Sequence, residues 1–178
     1  MFGRRTSSRA GRGAFSLIEL LVVLAIVMVL MGLLAPALSG VRHAERSLTC
    51  LSNLRQIAMG FRLYADEHGG RLPSSGGPPW EQTLAPYLGD RPLFRCPADQ
   101  EVGPAVGSSY DWRDTGKPAT TLAGVLLAKV QRSSLVLAFD ALPSWHQRGQ
   151  LNVVHTDGSA RPMDQEECFR DLDTPLTP

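Results

Sequence analysis

Phe15-Ser16-Leu17-Ile18-Glu19-Leu20-Leu21-Val22-Val23-Leu24-Ala25-Ile26-Val27-Met28-Val29-Leu30-Met31-Gly32-Leu33-Leu34 is a run of twenty residues with a single charge, Glu19. As a helix rising 1.5 Å per residue it spans about 30 Å, the thickness of a bilayer's hydrocarbon core. An ordinary secretory signal has an apolar stretch of only about 7–15 residues, so the small residues Ala35-Pro36-Ala37 follow too long a run to read simply as its cleavage site. A plain anchor accounts for the length but not for Glu19. A carboxylate among apolar residues in a membrane costs several kcal/mol, so an acid there marks a function. The segment predicts a membrane helix in which one acid has a task.

Charge orients the helix. Arg4, Arg5, Arg9 and Arg12 precede Ala14 in a stretch without acids. Basic residues before a first span predict a cytoplasmic N-terminus and a C-terminal head outside. Arg42, His43 and Arg46 follow the span and oppose that bias, partly offset by Glu45. Of 18 Lys and Arg, the 14 after Ala14 face 17 Asp and Glu, a formal balance of −3. A nucleic-acid binder keeps a basic face in its folded part, so no nucleic-acid partner is expected.

The order Phe15-Ser16-Leu17-Ile18-Glu19-Leu20-Leu21-Val22-Val23 resembles the cleavage and methylation segment of type IV prepilins and type II secretion pseudopilins. The resemblance implies that prepilin peptidase cuts between Ala14 and Phe15 and that the new amine is methylated. The family usually has Gly before the Phe. Here Gly13 is followed by Ala14, and a cut after Gly13 would set Glu19 one residue too deep. A buried carboxylate needs a partner, which the α-amine of a neighbouring subunit supplies, setting the register between subunits. Gly32 and Pro36 join the assembly residues: proline removes the hydrogen bond to the Gly32 carbonyl, and related helices melt there when filaments form. Pro36 also reads as a marker of the membrane exit. Partners implied are prepilin peptidase, other pilin-like subunits and the inner-membrane platform of a secretion machine. The implied location is the inner membrane, single-pass, with the N-terminus cytoplasmic and the head periplasmic or in an extracytoplasmic filament.

Beyond Pro36, Val41, Ala44, Leu48, Leu51, Ala58 and Phe61 recur at helical spacing, broadened by Leu54 and Ile57. Gly69-Gly70 stops the pattern. The expectation is a leader over 1–14, a helix over 15–68 (15–38 transmembrane, 39–68 amphipathic, roughly 80 Å in all) and a head over 69–178. Cys50 through Pro73 extends the resemblance, to a bacterial prepilin-like family named for a C-terminal H-x9-DG motif. Further matches are Phe94–Asp99, Ser108-Ser109-Tyr110, Leu135–Asp140 and Asn152–Gly158. The signature departs from the family: ten residues separate His146 from Asp157, and Ser159 stands where a His often follows.

In the head, 74–79 reads as a loop and Trp80–Leu88 as a short helix interrupted or bent at Pro86. Leu135–Phe139 suits a buried strand. Residues 150–163 suit a hairpin with a type I′ turn at Asp157-Gly158. The fold class is α+β and pilin-like, a long helix packed on a small antiparallel sheet.

Asp140, His146, His155 and Asp157 are candidate metal ligands, with calcium the ion the resemblance implies. Each has a simpler account: Asp157 as a turn residue, Asp140 as a strand end, the histidines as surface residues. Of three cysteines, Cys50 and Cys96 are a candidate disulfide and Cys168 is left over. No C-x-x-C gives the spacing of a zinc site. There is no G-x-S-x-G, P-loop or dinucleotide motif, and no enzyme is expected.

Overall fold

The computed structural model describes residues 16–89, 91–132, 134–146 and 149–177. The chain divides into two units, Met1–Gly40 and Val41–Pro178. In the first unit, Leu17–Leu34 has a mean hydropathy of 3.0 over 18 helical residues, enough in length and composition to cross a membrane. Every residue from Ser16 to Leu34 is exposed. These residues open helix α1, Leu17–Glu67, which runs through Gly32 and Pro36 unbroken in this single chain. The expected start, Phe15, lies outside the described residues, as does the leader.

The second unit is α+β. After α1 come α2 (Trp80–Leu88), α3 (Val102–Val106), strands β1 (Tyr110–Trp112), β2 (Val136–Asp140), β3 (Gln150–His155) and β4 (Ala160–Asp164), and α4 (Gln165–Leu172). The four strands form an antiparallel meander in the order β1-β2-β3-β4. All five residues of β2 are buried, because the sheet is covered on both faces. On one face Cys50, Leu54, Ile57, Ala58, Phe61 and Ala65 of α1 form a core with Tyr110, Trp112, Leu137, Ala138 and Val154. On the other, Val136, Phe139, Leu151, Val153 and Met163 meet Cys168 and Leu172 of α4. Alternation along β3 sends Leu151 and Val153 to one core and Val154 to the other, the period-2 geometry of a strand. This double cover explains why β2 reads as a continuous apolar run.

Phe61 anchors the first core. Its ring lies 5.0 Å from Trp112 of β1 and 5.7 Å from Trp80 of α2, and Trp80 meets Phe94 edge-on at 5.4 Å. The end of α1 is set by Gly69, whose φ of 63° suits a residue without Cβ, while Gly70 N–H closes back on the Ala65 carbonyl at 2.7 Å.

The structure corrects several expectations. The buried stripe of α1 starts at Cys50, and Val41 and Leu48 are 63% and 67% exposed, because the head's core reaches only the later turns. Helix α2 contains Pro86 without interruption and ends with Gly89 N–H on the Ala85 carbonyl at 3.0 Å. A proline so near the end forfeits one hydrogen bond, and buried Leu84 holds the helix in place. The hairpin turn sits one residue earlier than expected. Gly158 N–H bonds the His155 carbonyl and His155 N–H the Ser159 carbonyl. Thr156-Asp157 is therefore central, with Gly158 left-handed (φ 88°) as a bulge. Strand β1 and helix α4 were not anticipated.

Candidate functional site

Four side chains from four separate segments converge at one side of the first core: Cys50 on α1, Cys96 after the 3-10 turn Arg91–Phe94, Asp140 at the end of β2 and His146 after the 3-10 turn Pro143–Trp145. One donor atom from each lies within 4.8 Å of the others. Cys50 and Asp140 are fully buried, Cys96 is 2% and His146 8% exposed. His146 Nε2 lies 3.1 Å from Asp140 Oδ2 and 3.6 Å from Cys96 Sγ. Asn152 N–H donates to Asp140 Oδ2 at 2.8 Å, and Ala98 N–H to Cys96 Sγ at 3.4 Å. Three buried atoms here, Asp140 Oδ1, His146 Nδ1 and Asn152 Nδ2, have no hydrogen-bond partner among the described residues.

The electrostatics of this cluster are coupled. The hydrogen bond with Cys50 is the main cause that brings the Cys96 thiol down to about 6, helped by His146 and the Ala98 N–H against the effect of burial. The Cys50 thiol moves up, through that same hydrogen bond and then through burial. Burial pulls the His146 imidazole down, but its hydrogen bonds to Asp140 and Cys96 outweigh it and lift it to about 9. Tyr110 closes one side: burial, with Cys50 against it, pushes its hydroxyl above the ordinary value, and Asn53 Nδ2 donates to it at 3.1 Å.

The second arrangement is the start of α1. Glu19 and Leu20 N–H groups bond the Ser16 carbonyl at 3.1 and 3.2 Å. Glu19 thus sits in the first helical turn, where the helix dipole favours a negative charge. Around it Leu17 is 81%, Ile18 69% and Leu20 55% exposed, an apolar surface interrupted by one carboxylate. Residues 9–35 match the family described as the prokaryotic N-terminal methylation motif. The chain opens with a motif typical of type IV prepilin-like proteins. No curated protein and no solved structure matches the chain. The methylation motif covers Ala14, Phe15, Glu19 and Gly32 but stops before Pro36. Ala14 and Phe15 lie outside the described residues, and a Cβ at Gly32 would meet nothing within 4 Å.

In the head, the structure brings together two of the four candidate ligands, Asp140 and His146, and adds both Cys50 and Cys96. The two cysteines, a candidate disulfide from the sequence, are free thiols side by side. His155 and Asp157 stand apart. His155 Nδ1 lies 3.2 Å from the Ser159 carbonyl oxygen, and Asp157 Oδ1 accepts the Ser159 N–H at 2.7 Å, so both serve the hairpin turn. Neither histidine is a surface residue, since His155 is 3% exposed and His146 8%; the sheet and the segment after β2 enclose them. Sequence reading also missed Arg113, fully buried, whose Nη1 donates to Asp171 Oδ1 at 2.7 Å while Nε and Nη2 donate to the Thr120 and Thr174 carbonyls. Asp171 also accepts the Val136 N–H at 2.8 Å, tying α4 to the sheet. Cys168, alone beneath α4, has its thiol pushed by burial up to about 12.

Proposed function

We propose that the chain is a pseudopilin-like filament subunit, cut by prepilin peptidase and serving type II secretion or a related export machine. The observation that carries this reading is an apolar helix, Leu17–Leu34, exposed along its whole length, with one acid in its first turn, inside the methylation motif. The motif implies prepilin-peptidase processing and assembly with pilin-like subunits in general. A helix apolar all round must bury itself in lipid or among other helices. The Glu19 carboxylate pairs with the α-amine that processing creates on a neighbouring subunit, so cleavage and register are one device. The head remains outside the inner membrane, and the reading assigns it no catalytic step.

The test is the intact mass and N-terminal sequence of the chain recovered from membranes of cells with and without prepilin peptidase. A chain starting at Phe15 with one added methyl, absent without the peptidase, is expected. An intact Met1 start overturns the reading in favour of a tethered extracytoplasmic domain, and a start at Leu38 makes it an ordinary secreted protein. Shearing cells for long surface fibres separates the export role from a type IV pilus.

A further inference from the structure

We propose that Cys50, Cys96, Asp140 and His146 form a structural zinc site that clasps the head onto α1. The cluster poses a problem that its described neighbours do not solve. Asp140 is fully buried, and its one ion-pair partner among the described residues is His146. A single imidazole nitrogen, Nε2, faces both the Asp140 oxygen and the Cys96 sulfur. Four side chains able to ligate a metal thus meet at one small volume, while Asp140 Oδ1 and His146 Nδ1 go without partners among the described residues. Buried charge of this kind is costly unless matched, and a divalent cation at the point of convergence matches it.

Geometry and donor chemistry select the ion. Zinc–sulfur bonds of about 2.3 Å and zinc–nitrogen or zinc–oxygen bonds of about 2.0–2.1 Å give tetrahedral edges of roughly 3.3–3.8 Å. The two measured edges are 3.6 Å and 3.1 Å, and none exceeds 4.8 Å, so shifts of tenths of an ångström to about one ångström close the tetrahedron. Two sulfurs and an imidazole suit zinc; calcium and magnesium take sets of six or more oxygens, which this cluster does not offer. Four protein ligands in a buried position make a closed, structural site with no open coordination position for chemistry. On binding, the zinc ion replaces the protons held by the two thiols and by His146 Nε2, which pass to solvent. The ion then links α1, the loop after Phe94, the end of β2 and the segment after Trp145, joining position 50, position 96 and the stretch 140–146 of the chain. This inference is independent of how the N-terminus is processed.

The experiment uses the full chain purified in detergent without reductant or chelator. Elemental mass spectrometry is expected to find about one zinc per chain. Zinc content should fall about tenfold or more in Cys50→Ser and in His146→Gln and stay unchanged in Cys168→Ser. Cobalt reconstitution should give the thiolate charge-transfer and tetrahedral d–d bands, the former weakened in Cys50→Ser. Should the variants misfold, the native chain still decides. Chelation should release the zinc and expose Cys50 and Cys96, but not Cys168, to alkylation. A metal-free chain with all thiols intact overturns the proposal. So does a Cys50–Cys96 disulfide, seen as an intact mass lower by two hydrogens, or zinc held undiminished in both ligand variants.

Discussion

Two stretches of the same helix carry hydrophobic residues for different ends. Between Leu17 and Leu34 every position is exposed and nearly every one is apolar. Between Cys50 and Asp66 only a stripe is buried, while Arg55, Arg62 and Asp66 stay in solvent. A helix apolar on all sides is made for surroundings apolar on all sides, and a striped one for a single packed face. The contrast assigns assembly to the first stretch and head stability to the second, and it can be broken by substitutions that mix the two.

The largest separation is expected at Glu19. Glu19→Ala should lower recovery of the chain in the cross-linked filament fraction by about tenfold or more, the equivalent of at least about 1.4 kcal/mol of subunit pairing. The same variant should leave the head's denaturation midpoint within about 0.5 kcal/mol of the parent's. A Glu19→Ala chain that assembles normally breaks the division of labour.

Within the head, Arg113→Ala should destabilise by about 3–5 kcal/mol in chemical denaturation, because it strands the Asp171 carboxylate and frees α4. Phe61→Ala should cost about 3–5 kcal/mol by opening a void between Trp80 and Trp112. Leu24→Ala, an equally apolar residue of the same helix but 49% exposed, should change head stability by less than about 0.5 kcal/mol. Equal losses for Phe61 and Leu24 would erase the distinction.

The smallest effect is at Asp99, whose carboxylate accepts the N–H groups of Glu101, Val102 and Gly103 and the Ser109 hydroxyl. Burial acts to raise its pKa, but the Ser109 and backbone hydrogen bonds outweigh it and hold it below the usual 3.8. A depressed folded pKa means stabilisation present above the unfolded value and lost as pH falls through the folded one. Denaturation midpoints should therefore drop in the parent below about pH 4, and Asp99→Asn should lack that component of the drop. Identical acid profiles for the two would show that this cap contributes nothing.

The candidate site was legible only in halves. Asp140 and His146 stood out as residue types, but the absence of C-x-x-C argued against zinc because that rule assumes paired ligands on one short loop. Here Cys50 and Cys96 are each more than forty residues from the next member of the cluster, and Asp140 and His146 come from either side of a 3-10 turn. Helix α4 left a fainter mark, Cys168 and Leu172 one turn apart after the Met163 strand, hidden by the acids around them. Strand β1 is three residues long, too short for alternation to declare itself.

Read alone, the sequence determined the membrane-length helix, its lone acid, its stop at Gly69-Gly70 and the hairpin's existence, since each depends on neighbours within a turn or two along the chain. The tertiary structure alone decided where the buried stripe of α1 begins, which face of the sheet each strand residue joins, that Arg113 lies in the core, and that two cysteines meet an aspartate and a histidine. Those outcomes depend on which distant segments share a volume, and hydrophobic burial, being non-directional, leaves that choice to the packing of the whole head.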